Sequence, residues 1–307
     1  MNEQSVADLN QQFAINENHC QVIFKKAKGD ITQVEIKNKQ ASAVISLQGA
    51  HVLSWVPTGE TDVIWLSPDA RFEKARSVRG GIPICWPWFG AHQSQSEFPA
   101  HGFARTVIWQ VDKVQQLATG ETQIVFKFDT RLANDSIKKM WPVATSVEHV
   151  ITIGKCLSLA LITKNNGAEN IEIGEALHTY FNVEDVRQTT VQGLHDKNYL
   201  DKPDGFKCKK QTGEIKIADE VDRVYLNTMD EVVIDNKKRK IIISKQGSQS
   251  TIVWNPWQQT AEKMGDLGVD GYLNMLCVES GNAAENVVDV APGESHGLRV
   301  VYKIINN

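Results

Sequence analysis

Short segments in which apolar and polar residues alternate, many rich in β-branched side chains, recur along nearly the whole chain. Gln123–Phe128, Leu157–Thr163, Lys240–Ser244, Thr251–Trp254 and Leu298–Ile304 read this way, as does Ala43–Leu47 nearer the start. Successive side chains point to opposite faces of a strand, so a period of two lets one face pack while the other stays free. Turn signals such as Asn166-Gly167, Asp204-Gly205 and Pro292-Gly293 punctuate the segments. Helical periodicity is weak, and only residues 4–14 and 259–267 predict a short helix each. This texture predicts an all-β protein: a large antiparallel β-sandwich with few short helices.

Nothing divides the chain. Its 307 residues contain no repeat, low-complexity tract or linker, and β-sandwiches of such length form single domains. One domain over residues 1–307 is the expectation. An apolar content of 41% supplies a large core and argues against disorder. The formal net charge is −4, and the one basic run, Lys237-Lys238-Arg239-Lys240, reads as a solvated turn. No nucleic-acid partner is expected.

The five cysteines (Cys20, Cys85, Cys156, Cys208 and Cys277) are widely spaced and form no Cys-x-x-Cys pair. That pattern predicts reduced thiols in the cytoplasm rather than disulfides or a zinc site. The polar, acidic start of the chain shows no secretion signal. No apolar run is long enough to span a membrane. With no exposed apolar stripe in view, a monomer is expected.

The densest chemistry lies between Arg79 and Arg105. It reads Arg79-Gly80-Gly81-Ile82-Pro83, then Cys85-Trp86-Pro87-Trp88-Phe89-Gly90, then His101-Gly102-Phe103-Ala104-Arg105. Glycines let backbone approach a ligand closely, and arginine offers a planar fork of donors for phosphate or carboxylate. Aromatic faces beside such forks suit a sugar, which has apolar C–H faces and a rim of hydroxyls. The polar stretch Ala91–Glu97 reads as an exposed loop within this segment.

The same segment resembles the hexose-6-phosphate mutarotases (glucose-6-phosphate 1-epimerases) of the aldose 1-epimerase, galactose mutarotase-like superfamily. Gly49-Ala50-His51 to Ser54-Trp55, Glu175 to Phe181, Asp222-Arg223-Val224-Tyr225, Trp254-Asn255-Pro256-Trp257 and Cys277-Val278-Glu279 follow in the family's order. The resemblance covers residues 42–304. It implies an antiparallel supersandwich whose concave face holds the sugar, no cofactor and no metal, and a small sugar phosphate as the partner.

Interconverting the anomers of an aldose needs a proton delivered to the ring oxygen and another removed from the anomeric hydroxyl. One acid–base pair suffices, and histidine with glutamate fits the task. Alternation in Glu175–Phe181 puts Ala176, His178 and Tyr180 on one strand face. By the residues alone, His178 reads as a hydrogen-bonded histidine on a half-buried strand and Glu279 as a strand-end solvent contact. The resemblance makes His178 the group that protonates the ring oxygen and Glu279 the one that takes the anomeric proton. It likewise implies that His101 and Asp222 hold sugar hydroxyls and that Arg79 and Arg105 hold the phosphate. Ala100 stands where some relatives carry a glutamine. Arg76 and Lys263 are weaker candidates for the phosphate, and Trp254 is expected in the core. His92, His149 and His296 receive no role. The alternatives are an epimerase for unphosphorylated aldoses and a non-catalytic sugar-phosphate or carbohydrate-binding protein on the same scaffold.

Overall fold

The computed structural model describes residues 3–306. Every pairing between its named strands is antiparallel, and the strands form one small and three large sheets. A five-stranded meander runs from Ile15–Glu17 to His51–Pro57. A nine-stranded sheet has Ser295–Asn306 as its middle strand, with Cys156–Asn165 and then Thr145–Ile153 beside it. The third runs, edge to edge, through Lys207–Lys210, Asn198–Asp201, Val221–Leu226, Ser250–Asn255, Met275–Asn282, Glu175–Leu177 and Ile84–Cys85. Tyr180–Asn182 also pairs with Met275–Asn282.

The alternation in the sequence becomes the alternation of burial. Leu157, Leu159 and Leu161 turn inward from one long strand, and Val147, His149 and Ile151 from its neighbour. Leu177, Phe181, Leu276, Val278 and Val253 of the third sheet join them in one hydrophobic cluster with Leu298, Val300 and Tyr302. Burying each such side chain contributes about 1.5–3 kcal/mol, so this shared interior fixes the two sheets face to face. The reverse of the third sheet is left to carry chemistry.

Both expected helices are present with shifted ends. Val6–Phe13 begins after Ser5, whose hydroxyl accepts from the Asp8 amide. The second spans Trp257–Met264 and stops at Gly265, whose left-handed φ of 66° cannot continue a helix. A third, Asp135–Met140, was not legible in the sequence. Arg239 departs from the reading of a solvated basic turn. It is buried at the start of the strand Arg239–Gln246 and donates to the Thr61 and Asp62 carbonyls of the loop that follows the meander. No helix among the described residues is long and apolar enough to cross a membrane.

Candidate active site

Register assembles the site. Leu177 pairs with Ser280 and Tyr180 with Cys277, so the same register sets His178 opposite Glu279. Asp222 lies across from Trp254, and Trp254 across from Cys277. Even-numbered Ala176, His178 and Tyr180 therefore share a face with Cys277, Glu279, Trp254 and Asp222, away from the shared core. The expected strand is interrupted at His178 and Thr179. There the backbone turns to the Gly81–Pro83 segment instead: the His178 amide donates to Pro83 O and the Tyr180 amide to Gly81 O, both at 3.0 Å. Facing is preserved across the break.

His178 Nδ1 stands 3.5 Å from Glu279 Oε1. That is within ion-pair range but long for a hydrogen bond. Nδ1 of His178 and Oε2 of Glu279 are buried with no hydrogen-bond partner in the protein. Such atoms are expensive unless a ligand answers them. Burial, reinforced by the nearby Asp222 charge, pushes the Glu279 carboxyl well above the usual carboxylate range. Burial, with the charges of Arg105 and Arg79, pulls His178 well below the usual imidazole range. Both shifts favour the neutral forms, a protonated Glu279 beside a neutral His178.

Rings hold His178 in place. It lies flat on Tyr180, centroids 4.9 Å apart and planes 8° from parallel, with Trp254 edge-on at 5.9 Å. Trp254 was expected in the core. It is half-buried and packs against the small hydrophobic cluster of Trp65, Tyr180, Met275 and Cys277, and its register with Cys277 puts it on the same face as His178. Tyr180 in turn stacks on Trp65.

His101 reaches the site from the other edge, its ring 5.7 Å from that of His178. Gly102, at φ 70°, makes this possible: a Cβ there would lie 1.9 Å from the Trp86 carbonyl oxygen. The Gly90 amide donates to His101 Nδ1 at 3.3 Å, which places the ring proton on Nε2. Burial and the neighbouring Arg105, Lys202 and Arg79 charges pull His101 down to about 3. It is a neutral donor throughout the physiological range.

The structure separates the two arginines by what they already hold. Arg79 donates from Nε to Asp266 and from Nη1 to the Tyr180 hydroxyl, both at 3.0 Å. Arg105 is half-buried, donates from Nη2 to the Ala100 carbonyl, and carries no ion pair among the described residues. Asp222 pairs with Lys202 at 2.6 Å. Burial raises the Asp222 carboxyl while Lys202 opposes the rise. Arg76 is exposed on Glu73, and Lys263 is exposed in the last turn of its helix.

Sequence reasoning missed Asp266 and Lys202, whose roles depend on long-range contacts, and the hydroxyl of Tyr180. Only Tyr180 left a local signal, through its alternation with His178. The unassigned histidines separate: His149 is buried with Nδ1 on Ala50 O, His92 caps its own exposed loop, and His296 meets Glu175.

Comparison with known proteins gives the family and the fold. The aldose 1-epimerase family matches residues 32–303. An Escherichia coli relative that carries the provisional name glucose-6-phosphate 1-epimerase is 36% identical over 267 residues, 86% of this chain and 87% of that protein. A relative from Cenchrus ciliaris with the same provisional name is 33% identical over 279 residues, 87% and 82% of the two chains. The crystal structure of a Salmonella typhimurium protein provisionally named a mutarotase superposes with a TM-score of 0.86 at 29% identity, covering 96% of this chain and 97% of that one. A galactose mutarotase-like protein of Clostridium acetobutylicum shares the fold, with a TM-score of 0.75 at 14% identity over 95% and 100% of the two chains. The galactose mutarotase-like antiparallel fold is thus the observed one, and the chain belongs to the aldose 1-epimerase family.

Proposed function

We propose that this epimerase interconverts the α and β anomers of D-glucose 6-phosphate, with His178 and Glu279 as its acid–base pair. The observation that carries the reading is that pair: two titratable side chains in register, 3.5 Å apart, with buried polar atoms that no protein group satisfies.

The chemistry needs one proton on the pair. With imidazolium at His178 and carboxylate at Glu279, His178 protonates the ring oxygen as Glu279 takes the proton of the anomeric hydroxyl. The C1–O5 bond breaks and C1 becomes an aldehyde. His178 is then neutral and Glu279 protonated, which is the distribution that burial favours. The site is therefore electrostatically matched to the open-chain intermediate. After rotation about C1–C2, Glu279 returns its proton to O1, His178 takes the O5 proton, and the ring closes on the other face. Each well-placed transfer contributes ~10²–10⁴-fold.

Binding falls to the groups around the pair. The Nε2 proton of His101 suits a hydroxyl near the reacting end. Asp222 accepts from vicinal hydroxyls, and Trp254 offers an aromatic edge. Arg105, free of carboxylates, is the stronger phosphate candidate, and Arg79 contributes through what its ties to Asp266 and Tyr180 leave open. The relatives' names agree with a phosphorylated hexose.

Exchange NMR at anomeric equilibrium, with glucose 6-phosphate beside free glucose and galactose, tests this. Acceleration of the phosphate ester alone is expected. Equal acceleration of the free sugars would move the assignment to a general aldose epimerase, and binding without acceleration to a sugar-phosphate sensor.

A further inference from the structure

A third buried polar atom without a partner lies behind the same strands: Oε2 of Glu175. Glu175 alternates with His178, so its side chain points to the reverse of the sheet, and it has no exposure at all. Its Oε1 accepts from Asn282 Nδ2 and meets His296 Nε2, both at 3.0 Å. Asn282 Nδ2 and His296 Nε2 also reach Gly247 O, at 2.8 and 3.0 Å. A buried carboxylate is costly unless paired, and a simple core position is filled better by leucine or methionine.

Its place in the register says what the charge holds. Glu175 pairs directly with Asn282. Glu175 lies three residues before His178, and Asn282 three residues after Glu279. The side-chain bond therefore joins the two strands that carry the reacting pair, at matched distance from it. His296 ties the same point to Ser295–Asn306 of the facing sheet. Backbones meet closely here: a Cβ on Gly281 would lie 2.5 Å from the Glu175 carbonyl oxygen.

We infer that Glu175, held by Asn282 and His296, is the positioning residue of the reaction, setting from behind the sheet the separation of His178 from Glu279. The inference rests on the reading of that pair as acid and base. The residues expected to bind the sugar, His101, Asp222 and Arg105, sit on other segments. Loosening the lock therefore changes the reacting geometry more than affinity. A misplacement on the order of 1 Å costs about a hundredfold in rate.

The test uses the full chain and anomer exchange of glucose 6-phosphate, with rates expressed per folded molecule. Glu175→Ala should lower kcat tenfold or more and leave KM within twofold. Glu175→Gln keeps an oxygen for Asn282 and His296 and should hold kcat within threefold of wild type. His296→Ala should lower kcat at least threefold with KM unchanged, and it carries the test if Glu175→Ala does not fold. Folded Glu175→Ala with wild-type kcat would overturn the inference, as would Glu175→Gln as slow as Glu175→Ala. A wild type inactive on glucose 6-phosphate, glucose and galactose would instead remove the functional reading beneath it.

Discussion

The imidazole of His178 lies flat on the ring of Tyr180, and the Tyr180 hydroxyl accepts a hydrogen bond from Arg79 Nη1 at 3.0 Å. One aromatic side chain thus links the histidine proposed as the acid to an arginine expected at the phosphate. Tyr180→Phe keeps the stack and removes the acceptor. Hydrogen bonds to charged groups are worth about 1.5–3 kcal/mol, and the partial exposure of Arg79 brings the expected loss to about 1 kcal/mol. Thermal unfolding should show that loss, with kcat within about threefold of wild type and a raised KM for glucose 6-phosphate. A large fall in kcat with unchanged KM would mean that the hydroxyl itself takes part in proton transfer.

Arg105→Ala should weaken glucose 6-phosphate more than Arg79→Ala does, because Asp266 and Tyr180 already engage Arg79. Loss of one charge-assisted bond of about 1.5–3 kcal/mol raises KM by roughly 10- to 150-fold. Turnover of free glucose, however poor, should not change. Steady-state kinetics on both sugars decides it, and equal losses on the two would remove the phosphate assignment.

Glu279→Gln should be more stable than wild type and nearly inactive. The Glu279 carboxyl is raised above its ordinary 4.5 in the folded state, so folding retains a proton that the unfolded chain releases. Wild-type stability from this group therefore declines as pH rises above 4.5 towards the folded-state value. Glutamine does not titrate. Its advantage in Tm should be larger at pH ~8 than at pH ~5, where the unfolded carboxyl holds more of its proton. A variant less stable than wild type at both values would contradict the stated electrostatics.

The pH profile of kcat/KM should be a broad plateau. Its acidic limb lies below the ordinary imidazole value of 6.5, because His178 is depressed, and its alkaline limb well above the ordinary carboxyl value of 4.5, because Glu279 is raised. The two limbs belong to the coupled pair rather than to either residue alone. Rates corrected for spontaneous mutarotation check this. An acidic limb at or above 6.5 would show that His178 is not depressed.

Much of the fold was legible because alternation is a local property: Cys156–Asn165 and Thr145–Ile153 bury every second residue along their length. Helix ends were less so, since Gly265 stops one helix through its left-handed backbone rather than through hydrophobic pattern. His178 and Glu279 were named from family motifs. That they face each other follows from a register which no single segment encodes. The partners that set their surroundings come from further away. Asp266 lies 187 residues from Arg79, and Asn282 lies 107 from Glu175. Lys202 meets Asp222 only because two strands pair. Trp254 ends an apolar strand and packs as expected against buried side chains, but its facing towards His178 follows from register with Cys277 and not from its hydrophobicity.

The most direct test of the central claim is two-dimensional exchange NMR on glucose 6-phosphate with wild type, His178→Ala and Glu279→Gln, each shown to be folded. The account predicts strong α–β exchange cross-peaks with wild type, and a fall of at least about 10² towards the spontaneous rate in both variants. Full exchange with folded Glu279→Gln would contradict it.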